Sequence, residues 1–127
     1  MSPKDVVLAY WQAMQSNDFA KASEWLSQDF ECYWPQSREA ILGRDKFIAL
    51  NSCYPAEGKW QFEVRSVVSE GDNVVTEVAV SDGNLNDTAI TFHTVKDGLI
   101  SKQREFWPDP MKAQEWRSEW VEIQSDL

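Results

Sequence analysis

The chain has 127 residues, the length of one domain, and a formal net charge of −9, with its acids spread out; this argues against nucleic acid or anionic membrane as a partner, since both select basic patches. Two cysteines, Cys32 and Cys53, and one histidine, His93, give neither a disulfide framework nor a paired metal spacing, so no metal and no cofactor is expected. No apolar run approaches the ~20 residues of a membrane span, and the first residues lack an apolar signal core, so the expectation is a cytoplasmic protein with reduced thiols.

Ser2-Pro3-Lys4-Asp5 reads as a helix start, with a capping serine, a first-turn proline and an acid at the positive dipole end. The helix runs on through Val6, Tyr10, Ala13 and Met14, an apolar face at helical spacing. Asn17-Asp18 breaks it and caps a second helix carrying Phe19, Ala22 and Leu26 on one face. Phe30 to Trp34 is a short predicted strand ending at Pro35. Gly43 opens a third helix through Phe47 and Leu50 that stops before Pro55. Trp60 to Val68 and Val74 to Val80 alternate like strands around the turn Glu70-Gly71-Asp72-Asn73. Thr88 to Val95 and Leu99 to Trp107 form a second hairpin around Asp97-Gly98. Asp109-Pro110 caps a final helix with Ala113, Trp116 and Trp120 on one stripe. The order predicts an α+β fold over residues 1–127 as one domain, with helices on one face of a curved antiparallel sheet.

The last hairpin holds the most telling residue. Glu105 lies at the apolar end of its strand, beside Phe106 and Trp107. A carboxylate is costly to bury unless paired or protonated, so Glu105 is either a solvated residue or a working one. Seven Trp, six Phe and three Tyr are enough to build an apolar pocket around it. Whether His93 joins it depends on register. A two-residue turn pairs Lys96 with Leu99, sets His93 against Lys102 and separates His93 and Glu105 onto opposite faces. A glycine bulge at the turn pairs Val95 with Leu99 and His93 with Ser101, and gathers His93, Gln103, Glu105 and Trp107 on one face. The bulged form is taken here. It sends Lys102 and Arg104 outward and lays Ile90, Phe92, Ile100 and Phe106 along the outer face.

The run VVLAYWQAMQSNDFAKASEWLSQDF, the helix-opening Gly43 and the closing DGLISKQREFWPDP, in this order, resemble the NTF2-like superfamily and its SnoaL-like branch of polyketide cyclases and ketosteroid isomerases. The resemblance spans nearly the whole chain. It implies a cone in which three N-terminal helices close a curved antiparallel or mixed sheet over a pocket, with a short C-terminal helix, and a homodimer. Tyr10 falls on the first-helix tyrosine that donates to the oxyanion in steroid isomerases. Their two working aspartates fall on Trp34 and Thr91, which removes that chemistry in its usual form. In polyketide cyclases an acid/base aspartate sits seven residues after the turn glycine, and Glu105 is seven after Gly98. Their pocket histidine falls near Thr91, with His93 one same-face step along. Asn51 lies near the place of an isomerase pocket tyrosine.

The resemblance thus implies Glu105, His93 and Tyr10 as catalytic candidates, with Trp34, Asn51, Thr91, Gln103 and Trp107 around a small apolar organic ligand. Each has a plainer reading: Tyr10 as core, His93 as a half-buried histidine, Asn51 as a surface amide, the tryptophans as wall. Two functions follow. One is an enzyme in which Glu105 moves a proton while Tyr10 and His93 steady an oxyanion. The other is a binding protein with no chemistry.

Overall fold

A computed structural model describes residues 1–125. The elements run α1 (Pro3–Gln15), α2 (Phe19–Ser23), β1 (Leu26–Trp34), β2 (Glu39–Leu42), α3 (Arg44–Cys53), β3 (Gln61–Glu70), β4 (Asn73–Ser81), β5 (Asn86–Lys96) and β6 (Leu99–Phe106), with a 3₁₀ turn at Glu115–Arg117. Among the described residues the strands make a curved six-stranded sheet in the order β2-β1-β6-β5-β4-β3. Neighbours are antiparallel except β1 and β6, which run parallel, so the sheet is mixed. α1 packs on β3 to β6 and α3 on β1 and β2, which is the expected α+β layering.

α1 begins as its sequence requires. Ser2 Oγ accepts from the Asp5 amide at 3.1 Å, and the Asp5 carboxylate accepts from the Ser2 amide at 3.3 Å. The helix buries Val6, Val7, Tyr10, Trp11, Ala13 and Met14. It ends where Asn17 turns to φ 62. The Asn17 side chain then accepts from Trp60 N–H and donates to Trp60 C=O, both at 2.8 Å, and so ties the helix exit to the entry of β3.

α2 is shorter than the sequence suggests. Leu26 is not on it but opens β1, four residues before the expected start at Phe30. The reason is tertiary: Leu26 pairs with Ile100 of β6, and Trp25 C=O accepts from Ile100 N–H at 2.8 Å. The edge strand β2 was not expected; at four residues it has too little alternation to read. Gly43, at φ 93 and ψ 158, makes a corner between β2 and α3 that a residue with a side chain rarely adopts.

The β5–β6 hairpin corrects the expected register. Asp97 and Gly98 take φ 53 and 78, the paired positive values of a two-residue type I′ turn, and Lys96 pairs with Leu99. The bulge is not in the turn. It lies at Ser101, where the ladder shifts between Val95↔Ile100 and Thr94↔Lys102. His93 therefore opposes Gln103 rather than Ser101. Because one extra residue restores the same parity, His93, Gln103 and Glu105 do face inward together. Ile100, on the turn side of the bulge, is 0% exposed and belongs to the core, not to the outer row expected for it. Lys102 and Arg104 are exposed, and the Arg104 guanidinium carbon sits 4.6 Å from the centre of the Phe92 ring.

The expected C-terminal helix does not form. After Phe106 the described chain has only the 3₁₀ turn, Asp109 caps nothing, and Trp116 and Trp120 are 71% and 72% exposed. Short helices need tertiary packing of their apolar stripe, and these two rings have none to speak of.

Candidate functional site

The inner faces of β1, β5 and β6 bring five of the expected residues to one place. Glu105 from β6 is 7% exposed. Its Oε1 accepts from Trp34 Nε1 at 3.0 Å and from Trp107 Nε1 at 3.2 Å, and its Oε2 accepts from Thr91 Oγ1 at 2.7 Å. Indole N–H groups cannot accept, so a proton on this carboxyl resides on Oε2, with the Thr91 hydroxyl turned to receive it. Burial pushes the carboxyl above its ordinary range, against the three donors, which favour the charged form.

Trp107 is held by Gln36. Its amide donates to Trp107 C=O at 3.0 Å and accepts from Trp107 N–H at 2.6 Å. This two-point clasp joins the β1–β2 turn to the end of β6, next to the carboxylate oxygen that Trp34 and Trp107 share. No sequence signal marks Gln36, which sits in a turn of ordinary polar residues.

A second network lies beside the first. His93 Nδ1 is 2.7 Å from Gln103 Oε1 and His93 Nε2 is 2.9 Å from Thr76 Oγ1, which also accepts from Trp11 Nε1 at 3.2 Å. With the Gln103 oxygen toward the ring, Nδ1 carries the imidazole proton and Nε2 accepts from Thr76. Burial lowers the His93 pKa to about 3, against the opposing Gln103 bond. Both ring nitrogens are thus engaged and the ring is neutral. The Gln103 side chain in turn lies near the Tyr10 hydroxyl and the Cys32 thiol and opposes the effect of burial on both. Tyr10 keeps its proton, its pKa raised well above normal first by burial and then by Glu105 and Cys32. Burial likewise pushes the Cys32 thiol up, with Glu105 adding to it, so Cys32 is an inert neighbour. Cys32 and Thr76 lie on inward phases of alternating strands, a signal that the sequence carries and that attention to the hairpin passes over.

These residues border a cavity of about 390 Å³. Tyr10, Trp34, Asn51, Gln103, Glu105 and Trp107 line it. Thr91 and His93 do not; they stand behind the wall, one on Glu105 and the other on Gln103. Asn51 lines the cavity with its amide turned back to Phe47 C=O at 2.9 Å. Trp11, Phe19, Trp60 and Phe62 complete walls that the sequence did not single out. Among the described residues, no group of three or more His, Cys, Asp or Glu could hold a metal ion, and no helix is long and apolar enough to cross a membrane.

The model of the SnoaL-like domain matches residues 7–103. A candidate ketosteroid isomerase from Kribbella flavida superposes with a TM-score of 0.88 at 25% identity, over 98% of this chain and 90% of that one. An NTF-2 like protein of unknown function from Burkholderia xenovorans gives a TM-score of 0.79 at 31% identity, over 97% and 95%. An LEH-like epoxide hydrolase from M. tuberculosis shares the fold, with a TM-score of 0.67 at 22% identity over 84% and 82%. No curated protein matches the chain by sequence. With its mixed sheet, its helical cover and a family match over most of its length, the chain belongs to the SnoaL-like domain family and has the NTF2-like fold.

Proposed function

We propose that the cavity receives a small, largely apolar organic molecule and that Glu105 moves a proton on or off it. The carrying observation is a buried carboxyl in the cavity wall with a raised pKa and three aimed donors. Burial raises the pKa and the three donors oppose it, a setting in which a carboxyl serves as a proton-transfer group. Tyr10, kept protonated, donates to oxygen as negative charge develops. His93 works through Gln103, fixing its amide toward Tyr10. Trp34, Asn51, Gln103 and Trp107 shape the site, and Thr91 steadies Glu105 from behind. The names ketosteroid isomerase and epoxide hydrolase among the matched structures fit such a proton-transfer site.

Glu105→Gln tests this. The amide can keep its oxygen on the indoles and donate to Thr91, so the fold survives, while the exchangeable proton is gone. Against a panel of small cyclic enones, ketones and epoxides, wild-type turnover should fall by about 10²-fold or more in the variant. A variant as active as wild type removes Glu105 from the chemistry. One observation favours binding without chemistry: the three donors leave the carboxyl little room for a further partner. In that case a panel member binds unaltered to both proteins.

The same reading takes the chain as one cytoplasmic domain, consistent with its free cysteines Cys32 and Cys53, and as a homodimer through the outer sheet face. Tyr33, Leu42 and Phe92 are exposed there, more apolar surface than solvent favours. Light scattering at micromolar concentration should give about twice the 14.7 kDa chain mass; a monomer contradicts the dimer.

A further inference from the structure

We propose that the ligand class of this cavity is an organic cation, an apolar amine or quaternary ammonium, a conclusion that rests on the cavity being a small-molecule site. Nine of the lining side chains are aromatic, and four are carboxylic acids: Glu105 inside, with Glu39, Asp87 and Asp109. Among the described residues, no Lys, Arg or His lines it. An anion entering would meet four acids and no cation.

The hydrogen-bond inventory points the same way. Five lining side chains spend an N–H group internally: Trp11 on Thr76, Trp34 and Trp107 on Glu105, Gln36 on Trp107 C=O, and Asn51 on Phe47 C=O. The donors left to a ligand, those of Tyr10, Ser37, Tyr54, Trp60 and Gln103, are all uncharged, so a carboxylate finds hydrogen bonds but no cation to balance its charge. Of the indoles of Trp34 and Trp107, what remains for a ligand is carbon edge and π face. A π face attracts a cation, most strongly for tryptophan and where water is excluded. Glu39 and Asp109 are exposed and Asp87 is half-buried, so acids stand where a cation arrives and a further acid stands where it settles.

The inner carboxyl makes binding pH-dependent. The titratable groups facing Glu105 are Tyr10 from α1 and Cys32 from β1, both kept protonated and uncharged, with His93 of β5 neutral behind Gln103. None supplies a competing cation. A bound ammonium pulls Glu105 to its carboxylate, and its proton leaves to solvent. Affinity for the cation then rises as pH climbs, while affinity for a neutral molecule of the same shape does not.

The experiment compares benzyltrimethylammonium with its carbon isostere, neopentylbenzene, by titration of the intrinsic tryptophan fluorescence at pH 5 and pH 8. Wild type should bind the cation about tenfold tighter than the isostere at pH 8, and less selectively at pH 5. Glu105→Gln should bring the two within about threefold. Should that variant not fold, Asp87→Asn with Asp109→Asn should weaken the cation several-fold and leave the isostere unchanged. Isostere binding equal to or tighter than the cation in wild type at pH 8 overturns the inference and leaves the small-molecule reading standing. Binding of neither probe overturns both.

Discussion

His93 shows how burial decides a residue's role. Its nitrogens are both engaged and its pKa is lowered to about 3, so it is neutral throughout the physiological range. An unfolded histidine takes up a proton near pH 6.5. Because the folded pKa is depressed, the stabilisation is present above about 6.5 and is lost as pH falls toward the folded value, at roughly 1.4 kcal/mol per pH unit. Glu105, with its pKa raised, has the opposite sign: its contribution is full below the ~4.3 of a free glutamate and is lost as pH climbs through the folded value. His93→Gln should therefore flatten the fall in melting temperature between pH 6.5 and 4, with the Glu105 contribution common to both proteins. Parallel melting curves would mean that His93 is not held neutral. Glu105 and His93 both stood out in the sequence, one by its apolar neighbours and one by being alone of its kind. Their partners Thr76 and Thr91, and the Gln36 that clasps Trp107, did not stand out as such, since a hydrogen bond across 17, 14 or 71 residues leaves no local trace.

At the scale of elements, the β5–β6 hairpin carries the argument. Asp97-Gly98 marked the turn and allowed the type I′ form that the structure shows, but the glycine-bulged form was the one expected. The bulge at Ser101 was not legible there, because a serine in a strand looks the same paired or unpaired. The right face was reached by placing the extra residue at the turn instead. Everything beyond Ser101 depends on that residue for its side. Deleting Ser101 forces a choice: either Ile100 leaves the core, or Gln103 and Glu105 turn to solvent. We expect a loss of about 3 kcal/mol or more in urea unfolding. A deletion variant with the wild-type midpoint would show that the bulge does not set the register. The C-terminal stripe taught the converse lesson. Ala113, Trp116 and Trp120 have helical spacing, but spacing becomes a helix only with a surface to cover.

For the whole molecule, the α+β class and most elements followed from periodicity and turn residues, because each strand and helix buries one regular face. The early start of β1 and the short edge strand β2 did not, since the first depends on pairing with a strand 74 positions later and the second is four residues long. Three separated segments supply the groups around Glu105: the Tyr10 helix, the Trp34 strand with its Gln36 turn, and the Thr91–Glu105 hairpin. Only the assembled fold removes Glu105 from water, so its protonation reports on the whole arrangement. The most direct measurement is a carbon-detected NMR titration of side-chain carboxyls, with Glu105 assigned by its absence in Glu105→Gln. The expected result is a midpoint above the ~4.3 of a free glutamate; a midpoint at or below that value would place Glu105 in solvent or lock it as a permanent carboxylate, and would contradict a proton-exchanging group in the cavity wall.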